Sequence, residues 1–364
     1  MMFKQAIDFA KSFNLKFPAI IQAPMAGGIT TPGLVSAVAE AGGLGSLATG
    51  YLTPAAIQDD IRAIQSLTAL PFIANLFIPP ESSFLDKDKI RVFQQHLNLY
   101  RQQLGMATEN IDDLPEVYAQ PFDEIIEVLI SAKVKMVSFT FGILTKKHIE
   151  RFKNKNVYLI GTATSVAEAK ALAEAEIDAI VAQGWEAGGH RASFLEDPGL
   201  NPVNTLDLVK TIGENVNLPL IAAGGIMQAT DIIAALKAGA VAVQMGTSFL
   251  PLAESGAHTT YKNALLAAAT QADTKLTTLT RCYSGKLARS LETQFIKEVL
   301  PNSEIPDYPI PYYLRRSLSK EAAKQNNPEL MALWCGMGIK RLNPTYTTIQ
   351  KLFDGIQAEI KPFL

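Results

Sequence analysis

The chain is poor in the residues that staple small folds or hold metals. Its two cysteines, Cys282 and Cys335, among 364 residues give no disulfide framework, and no close-spaced Cys/His set marks a structural zinc site. The thin cysteine usage fits a reducing compartment. A net charge of -2 and a pI near 6.1 provide no basic surface to attract nucleic acid or an anionic membrane. No run approaches the ~20 apolar residues of a membrane span. The opening MMFKQAIDFAKSFNLKF mixes charged and apolar residues without a continuous apolar core, so no secretory signal is expected and the expected location is the cytoplasm. There is no Walker A motif, no G-x-S-x-G and no G-x-G-x-x-G. Gly42-Gly43-Leu44-Gly45 is a helix end running into a strand. No acid pair has the spacing of a glycosidase site.

What is present is a large apolar fraction, 48% against 19% charged, enough to bury a sizeable core. The length exceeds the about 250 residues of one ordinary barrel. The first two thirds alternate short apolar runs with helical spacing, the pattern of a parallel sheet with crossover helices. The strands are expected at Ala19–Ala23, Leu44–Leu47, Phe72–Leu76, Met136–Phe141, Val157–Gly161, Ala179–Gln183, Leu220–Ala223 and Val241–Met245. Helices are expected at Pro32–Ala41, Pro54–Leu67, Phe122–Ala132, Lys146–Phe152, Val166–Glu176, Leu206–Ile212 and Ala229–Ala238. Thr31, Thr53 and Ser165 read as N-caps, and Gly42 and Gly239 as C-terminal stops. Eight units in order imply a closed (β/α)8 TIM barrel over residues 1–258, with an open doubly wound sheet as its rival. Two segments break the repeat. Residues 78–120 form an insertion after the third strand, either surface decoration or a lid. Residues 259–364 are expected to form a smaller, mostly helical accessory domain.

Chemistry-bearing residues cluster at the ends of the strands. LIAAGGI ends the seventh strand on Gly224-Gly225 just before a helix. Glycine there lets the backbone approach a phosphate, and the helix start offers free N–H groups, although an ordinary turn has the same look. VQMGTSFL repeats the arrangement after the eighth strand with Gly246 and Thr247, and barrels often hold phosphate with those two loops together. AQGWEAGGHRASF follows the sixth strand. Gly188-Gly189 precede His190, whose ordinary pKa near 6.5 suits proton abstraction; the alternative is a histidine that only braces its loop. Glu186 reads as solvated charge, and Arg191 as solvated or as an orienting group. Gln183 is a polar strand end that could meet a ring edge. IQAPMAGG makes a tight loop in which Met25 could pack on a planar ring. Asn75 is an amide in an apolar strand and needs partners if buried. In SFTFG, Ser138 and Thr140 face inward if the two phenylalanines face the helices.

Together these segments resemble the nitronate monooxygenases, formerly called 2-nitropropane dioxygenases, of the class I type. IQAPMAGG, the Asn of PFIANLF, SFTFG, AQGWEAGGHR, AAGGI, QMGTSFL, the run Glu254–Lys262 and SGKLAR at Ser284–Arg289 occur in the family's order and approximate spacing. The resemblance implies non-covalent FMN contacted by Ala23, Pro24, Met25, Asn75, Gln183, Gly188, Gly189, Gly224, Gly225, Gln244, Met245, Gly246 and Thr247, with His190 as catalytic base. It implies oxidation of alkyl nitronates such as propionate 3-nitronate with O2 as co-substrate, in a monomer or homodimer. The pocket wall that selects the substrate is expected from residues 78–120 and the C-terminal segment. An NAD(P)H-dependent flavin reductase acting on quinones or enoyl thioesters shares the two phosphate loops, and so would a flavin-binding sensor. One position departs from the family: Ala192 stands where a glycine is usual, which would matter if the site required positive φ.

Overall fold

The structure is a computed structural model that describes residues 3–80, 86–110, 120–195, 202–272 and 276–363. Its strands are β1 (Ile20–Gln22), β2 (Ser46–Ala48), β3 (Ile73–Phe77), β4 (Met136–Thr140), β5 (Tyr158–Ala163), β6 (Ala179–Gln183), β7 (Gly189–His190), β8 (Leu220–Ala223), β9 (Ala242–Met245), β10 (Thr277–Thr280) and β11 (Ala288–Leu291). Its helices are α1 (Lys4–Ser12), α2 (Pro32–Glu40), α3 (Pro54–Leu67), α4 (Lys87–Gln103), α5 (Phe122–Ser131), α6 (Lys146–Lys153), α7 (Val166–Glu174), α8 (Thr205–Gly213), α9 (Ala229–Lys237), α10 (Thr259–Thr270), α11 (Gln294–Glu298), α12 (Ile310–Lys324) and α13 (Ile349–Ile360).

Eight strands pair in parallel in the order β1-β9-β8-β6-β5-β4-β3-β2. The two ends of that series meet. Gln22 N donates to Leu44 O and Leu44 N to Ile20 O, both at 3.0 Å. The sheet is therefore a closed (β/α)8 barrel, and the open-sheet alternative falls. The expected caps form: Thr31, Thr53 and Ser165 accept from the N–H three residues on. Gly42 and Gly239 turn the chain out of α2 and α9 at φ +93° and +110°.

Alternation along each strand divides its apolar residues between two layers. Ala74, Leu76, Val137, Phe139, Leu159, Ile180, Ala222 and Val243 pack outward against the helices. Ile21, Leu44, Ile73, Met136, Ile160, Val181 and Ile221 fill the interior, which Phe9 and Ala10 of α1 close at the base. Towards the strand C-termini the interior turns polar, with Asn75, Ser138, Thr140, Gln183 and Gln244 between the middle and the C-terminal end of their strands.

Packing does not follow chain order. In the insertion, α4 lays Ile90, Phe93, Leu97 and Tyr100 against Leu314, Leu318 and Ala322 of α12, in a second core beside the barrel mouth. Residues 81–85 and 111–119 of the insertion lie outside the described residues. The last helix, α13, returns to the barrel core through Ile349, Leu352, Phe353, Ile356 and Ile360. The C-terminal segment also holds a hairpin that the sequence reading did not anticipate. β10 pairs antiparallel with β11, and β11 pairs with β7, setting Ala288 opposite His190 and Arg289 opposite Gly189. Thr277–Thr280 and Ala288–Leu291 are too short for a clear two-residue period to stand out.

Candidate active site

A cavity of about 700 Å³ opens at the strand C-termini, within the size range of small-ligand and cofactor pockets. Its lining includes every residue that the family resemblance assigned to flavin contact or catalysis: Ala23, Pro24, Met25, Asn75, Gln183, Gly188, Gly189, His190, Gly224, Gly225, Gln244, Met245, Gly246 and Thr247. Register explains part of this convergence. Gln183, Ala223 and Gln244 are direct neighbours across β6, β8 and β9, and Asn75 lies beside Ser138 across β3 and β4.

At one end the loops after β8 and β9 face each other. Gly224 and Gly225 take φ of +122° and +68°, which an L side chain would strain. Asp231 accepts from the N–H of Met227 and Gln228, so part of the α9 start is already satisfied. Among the described residues, the N–H groups of Gly225, Ile226, Gly246 and Thr247 have no protein acceptor. Thr247 Oγ1 takes the N–H of Gly336 at 2.9 Å, and its own proton remains free to donate. Four free amides and a hydroxyl make an anion cradle.

In the middle of the cavity, Met25 is fixed by Thr30, whose Oγ1 accepts from Met25 N at 3.0 Å and donates to Met25 O at 3.1 Å. Asn75 is 2% exposed. Its Nδ2 donates to Ser138 Oγ at 2.9 Å, whereas its Oδ1 is buried with no partner among the described residues. A buried carbonyl oxygen without a donor is costly, so a ligand N–H or O–H would complete it. Gln183 also lines the cavity, but its amide binds the histidine loop: Nε2 donates to His190 O at 3.0 Å and Oε1 accepts from Ala192 N at 2.9 Å.

The histidine loop is held from behind by the hairpin and from the side by the C-terminal segment. A Cβ on Gly188 would lie 2.4 Å from the backbone carbon of Cys335, so this glycine is needed for close chain approach. His190 Nε2 is 2.7 Å from Ser284 Oγ. The imidazole is ringed by Phe141 and Trp334, each with centroids 5.5 Å away, and by Phe77 at 6.1 Å and Tyr308 at 6.3 Å. Burial, reinforced by the Lys286 ammonium, lowers its pKa to about 3. The ring is therefore neutral over the ordinary pH range.

Several sequence expectations change here. Glu186 is not a solvated charge: its Oε2 accepts from Thr205 N at 2.9 Å and Thr205 Oγ1 at 3.0 Å, satisfying the start of α8. Arg191 is 4% exposed and donates to Gly184 O and Gln183 O, so it locks the strand end and does not touch the imidazole. In SFTFG, Phe139 faces the helices as expected, but Phe141 lies beyond β4 at φ +77° and turns toward His190. Ala192 does not have positive φ, so its methyl group introduces no strain there. Among the described residues of 78–120, none lines the cavity.

The mouth is built instead by the C-terminal segment. Tyr312 of α12 stacks on Tyr51 with centroids 3.6 Å apart, and Arg315, Arg316 and Lys320 of that helix line the cavity. Among the described residues, no Asp or Glu lines it. The sequence reading missed Ser284, Trp334, Tyr51 and these cations as site residues. SGKLAR and PYYLRR were visible as segments, but only the hairpin and the α4–α12 packing bring them to the barrel. No helix among the described residues is long and apolar enough to cross a membrane.

A closed barrel with free amides after its last two strands, and a cavity at its C-terminal mouth lined by His190, has the layout of a (β/α)8-barrel enzyme site. Known proteins specify the class further. The family model for nitronate monooxygenase matches residues 10–356. A probable nitronate monooxygenase from Bacillus subtilis (strain 168) is 39% identical over 360 residues, covering 97% of this chain and 99% of that protein. Among solved structures, nitroalkane oxidase from Streptomyces ansochromogenes superposes with a TM-score of 0.86 at 36% identity over 98% of both chains. FabK from Thermotoga maritima superposes with a TM-score of 0.72 at 25% identity, over 98% of this chain and 96% of that one. The chain belongs to the nitronate monooxygenase family and is an oxidoreductase.

Proposed function

We propose that this protein is an FMN-dependent nitronate monooxygenase that oxidises alkyl nitronates such as propionate 3-nitronate with O2, and that His190 is its base when a neutral nitroalkane is presented. The observation that carries the reading is the juxtaposition of a neutral, partly caged histidine with a cavity that holds no acid among the described residues and ends in an anion cradle.

The residues present fit FMN. Gly225, Ile226, Gly246 and Thr247 offer free amides for its phosphate, and the orphaned Asn75 Oδ1 needs a donor such as a ring or ribityl group carries. Ala23, Pro24 and Met25 would line the ring on the β1 side, and Gly188 and Gly189 on the β6 side. Bound there, FMN would supply the oxidising chemistry and the route of electrons to O2. The chain's own task is to place the substrate and manage one proton. A nitronate already carries carbanion character, so its oxidation needs placement against the flavin and no proton transfer. A neutral nitroalkane needs its α-proton removed. A neutral His190 can accept that proton; the burial that keeps it neutral also opposes the imidazolium, while the cations at the mouth favour the anion that results.

An NAD(P)H-dependent reductase, which would share the two phosphate loops, is the competing reading. It has no need of a base at His190. Replacing His190 with asparagine separates the two. The variant should keep its flavin and lose about a hundredfold or more of its turnover of a neutral nitroalkane, the usual worth of a general base. Unchanged turnover of both nitroalkane and nitronate would remove the role of His190.

A further inference from the structure

Among the described residues the His190 ring makes one hydrogen bond, and that bond decides which ring nitrogen can accept a proton. Nε2 is 2.7 Å from Ser284 Oγ, and among the described residues Nδ1 has no hydrogen-bond partner. Ser284 is itself fixed. It sits in the turn joining β10 to β11, where Ser284 N and Gly285 N both donate to Arg281 O. Gly285 is at φ +89°, and a Cβ there would lie 2.3 Å from Tyr308 N, so the turn is packed against the segment leading into α12. Lys286 N donates to Ser284 Oγ at 3.3 Å, and Lys286 O lies 3.4 Å from the same hydroxyl.

A serine hydroxyl has one proton and two lone pairs. Lys286 N–H occupies one lone pair. If the hydroxyl proton goes to Lys286 O, the other lone pair accepts from His190 Nε2–H, and Nδ1 is left with a free lone pair. If the proton goes to Nε2 instead, Nδ1 must carry hydrogen and cannot act as a base. The free Nδ1 is otherwise unaccounted for, and the acceptor at Lys286 O gives the hydroxyl proton somewhere to point.

We propose that Ser284 is the positioning residue of the proposed base. It takes the Nε2–H of His190, passes its own proton to the Lys286 carbonyl, and thereby presents Nδ1 to the substrate. This rests on the reading of His190 as base. In the step itself the α-C–H bond of a neutral nitroalkane breaks. Its electron pair moves into the nitro group to give the nitronate, and the proton bonds to Nδ1. The imidazolium keeps its Nε2–H bond to Ser284. The charged and titratable groups facing the ring are the Lys286 ammonium, which opposes the imidazolium, and the Tyr308 phenol at 6.3 Å. The role parallels that of the third member of a base-orienting triad, filled here by a hydroxyl.

Two measurements on the holoenzyme test this. Side-chain nitrogen NMR of 15N-histidine-labelled protein should show His190 as the Nε2–H tautomer, and that preference should weaken in Ser284→Ala. The ratio of kcat/KM for nitroethane to kcat/KM for ethyl nitronate should fall about tenfold in Ser284→Ala, the scale of one well-placed hydrogen bond. Ser284→Thr, which keeps the hydroxyl, should restore most of the ratio. An Nδ1–H tautomer in the parent protein, or an unchanged ratio in Ser284→Ala, overturns the proposal. So does a threonine variant as impaired as the alanine one. If His190→Asn lowers the ratio while Ser284→Ala does not, the inference about Ser284 fails alone. If His190→Asn leaves the ratio unchanged, the reading of the base itself has failed.

Discussion

Replacing His190 with asparagine should make the protein less sensitive to acid, by an amount that the site's electrostatics set. In the folded chain, burial and the nearby Lys286 ammonium lower the imidazole to about 3, whereas in the unfolded chain it titrates near 6.5. Between those values the unfolded state binds a proton that the folded state does not. Stability therefore falls as pH drops below about 6.5, and the loss stops near pH 3. The slope approaches about 1.4 kcal/mol per pH unit, which amounts to about 1.4 kcal/mol at pH 5.5 and about 2.7 kcal/mol at pH 4.5. Asparagine has no such proton, so this contribution disappears from the variant. Urea unfolding of both proteins between about pH 7.5 and 4.5 reads the difference directly. The parent should lose more stability than the variant as pH falls. Curves that stay parallel would show that His190 titrates alike in both states, and the lowering of its imidazole by burial would be refuted.

Two further perturbations test the histidine loop and the mouth. Gly188→Val places side-chain carbon where the Cys335–Gly336 backbone already lies, 2.4 Å from a Cβ position. It should cost about 2 kcal/mol or more through overpacking and lower flavin content, measured by thermal melting and by the flavin-to-protein absorbance ratio. Charge reversal at the mouth, Arg316→Glu with Lys320→Glu, replaces two cations in a lining that holds no acid among the described residues. It should raise KM for an anionic nitronate several-fold at low salt, with the effect shrinking at high salt as screening sets in; a salt-independent KM would count against electrostatic attraction.

Much of the barrel was legible because each unit repeats one message. A short buried strand, a capping threonine or serine and a glycine stop recur through Thr31, Thr53, Ser165, Gly42 and Gly239, and local chemistry dictates all of them. The anion cradle was legible for the same reason, since Gly224-Gly225 and Gly246-Thr247 each follow their own strand directly. What sequence could not display is long-range. Ser284 is 94 residues from His190, and only the pairing of β11 with β7 brings them together. Glu186 looked like free charge because its partner, Thr205, lies across a loop on the next helix. Phe141 obeyed strand alternation on paper, but the strand ends at Thr140 and a positive φ swings the next ring into the site. The insertion looked like a pocket wall, yet its helix α4 supports α12 from behind, and α12 forms the wall.

The central claim is a barrel that binds FMN and uses it on nitronates. Anaerobic mixing of the purified, flavin-loaded protein with propionate 3-nitronate in one syringe and with NADH in another tests it most directly, by following flavin absorbance in a stopped-flow instrument. The account predicts rapid loss of oxidised-flavin absorbance with the nitronate and little change with NADH. Rapid bleaching by NADH with none by the nitronate would contradict it, as would a colourless protein that cannot be reconstituted with FMN.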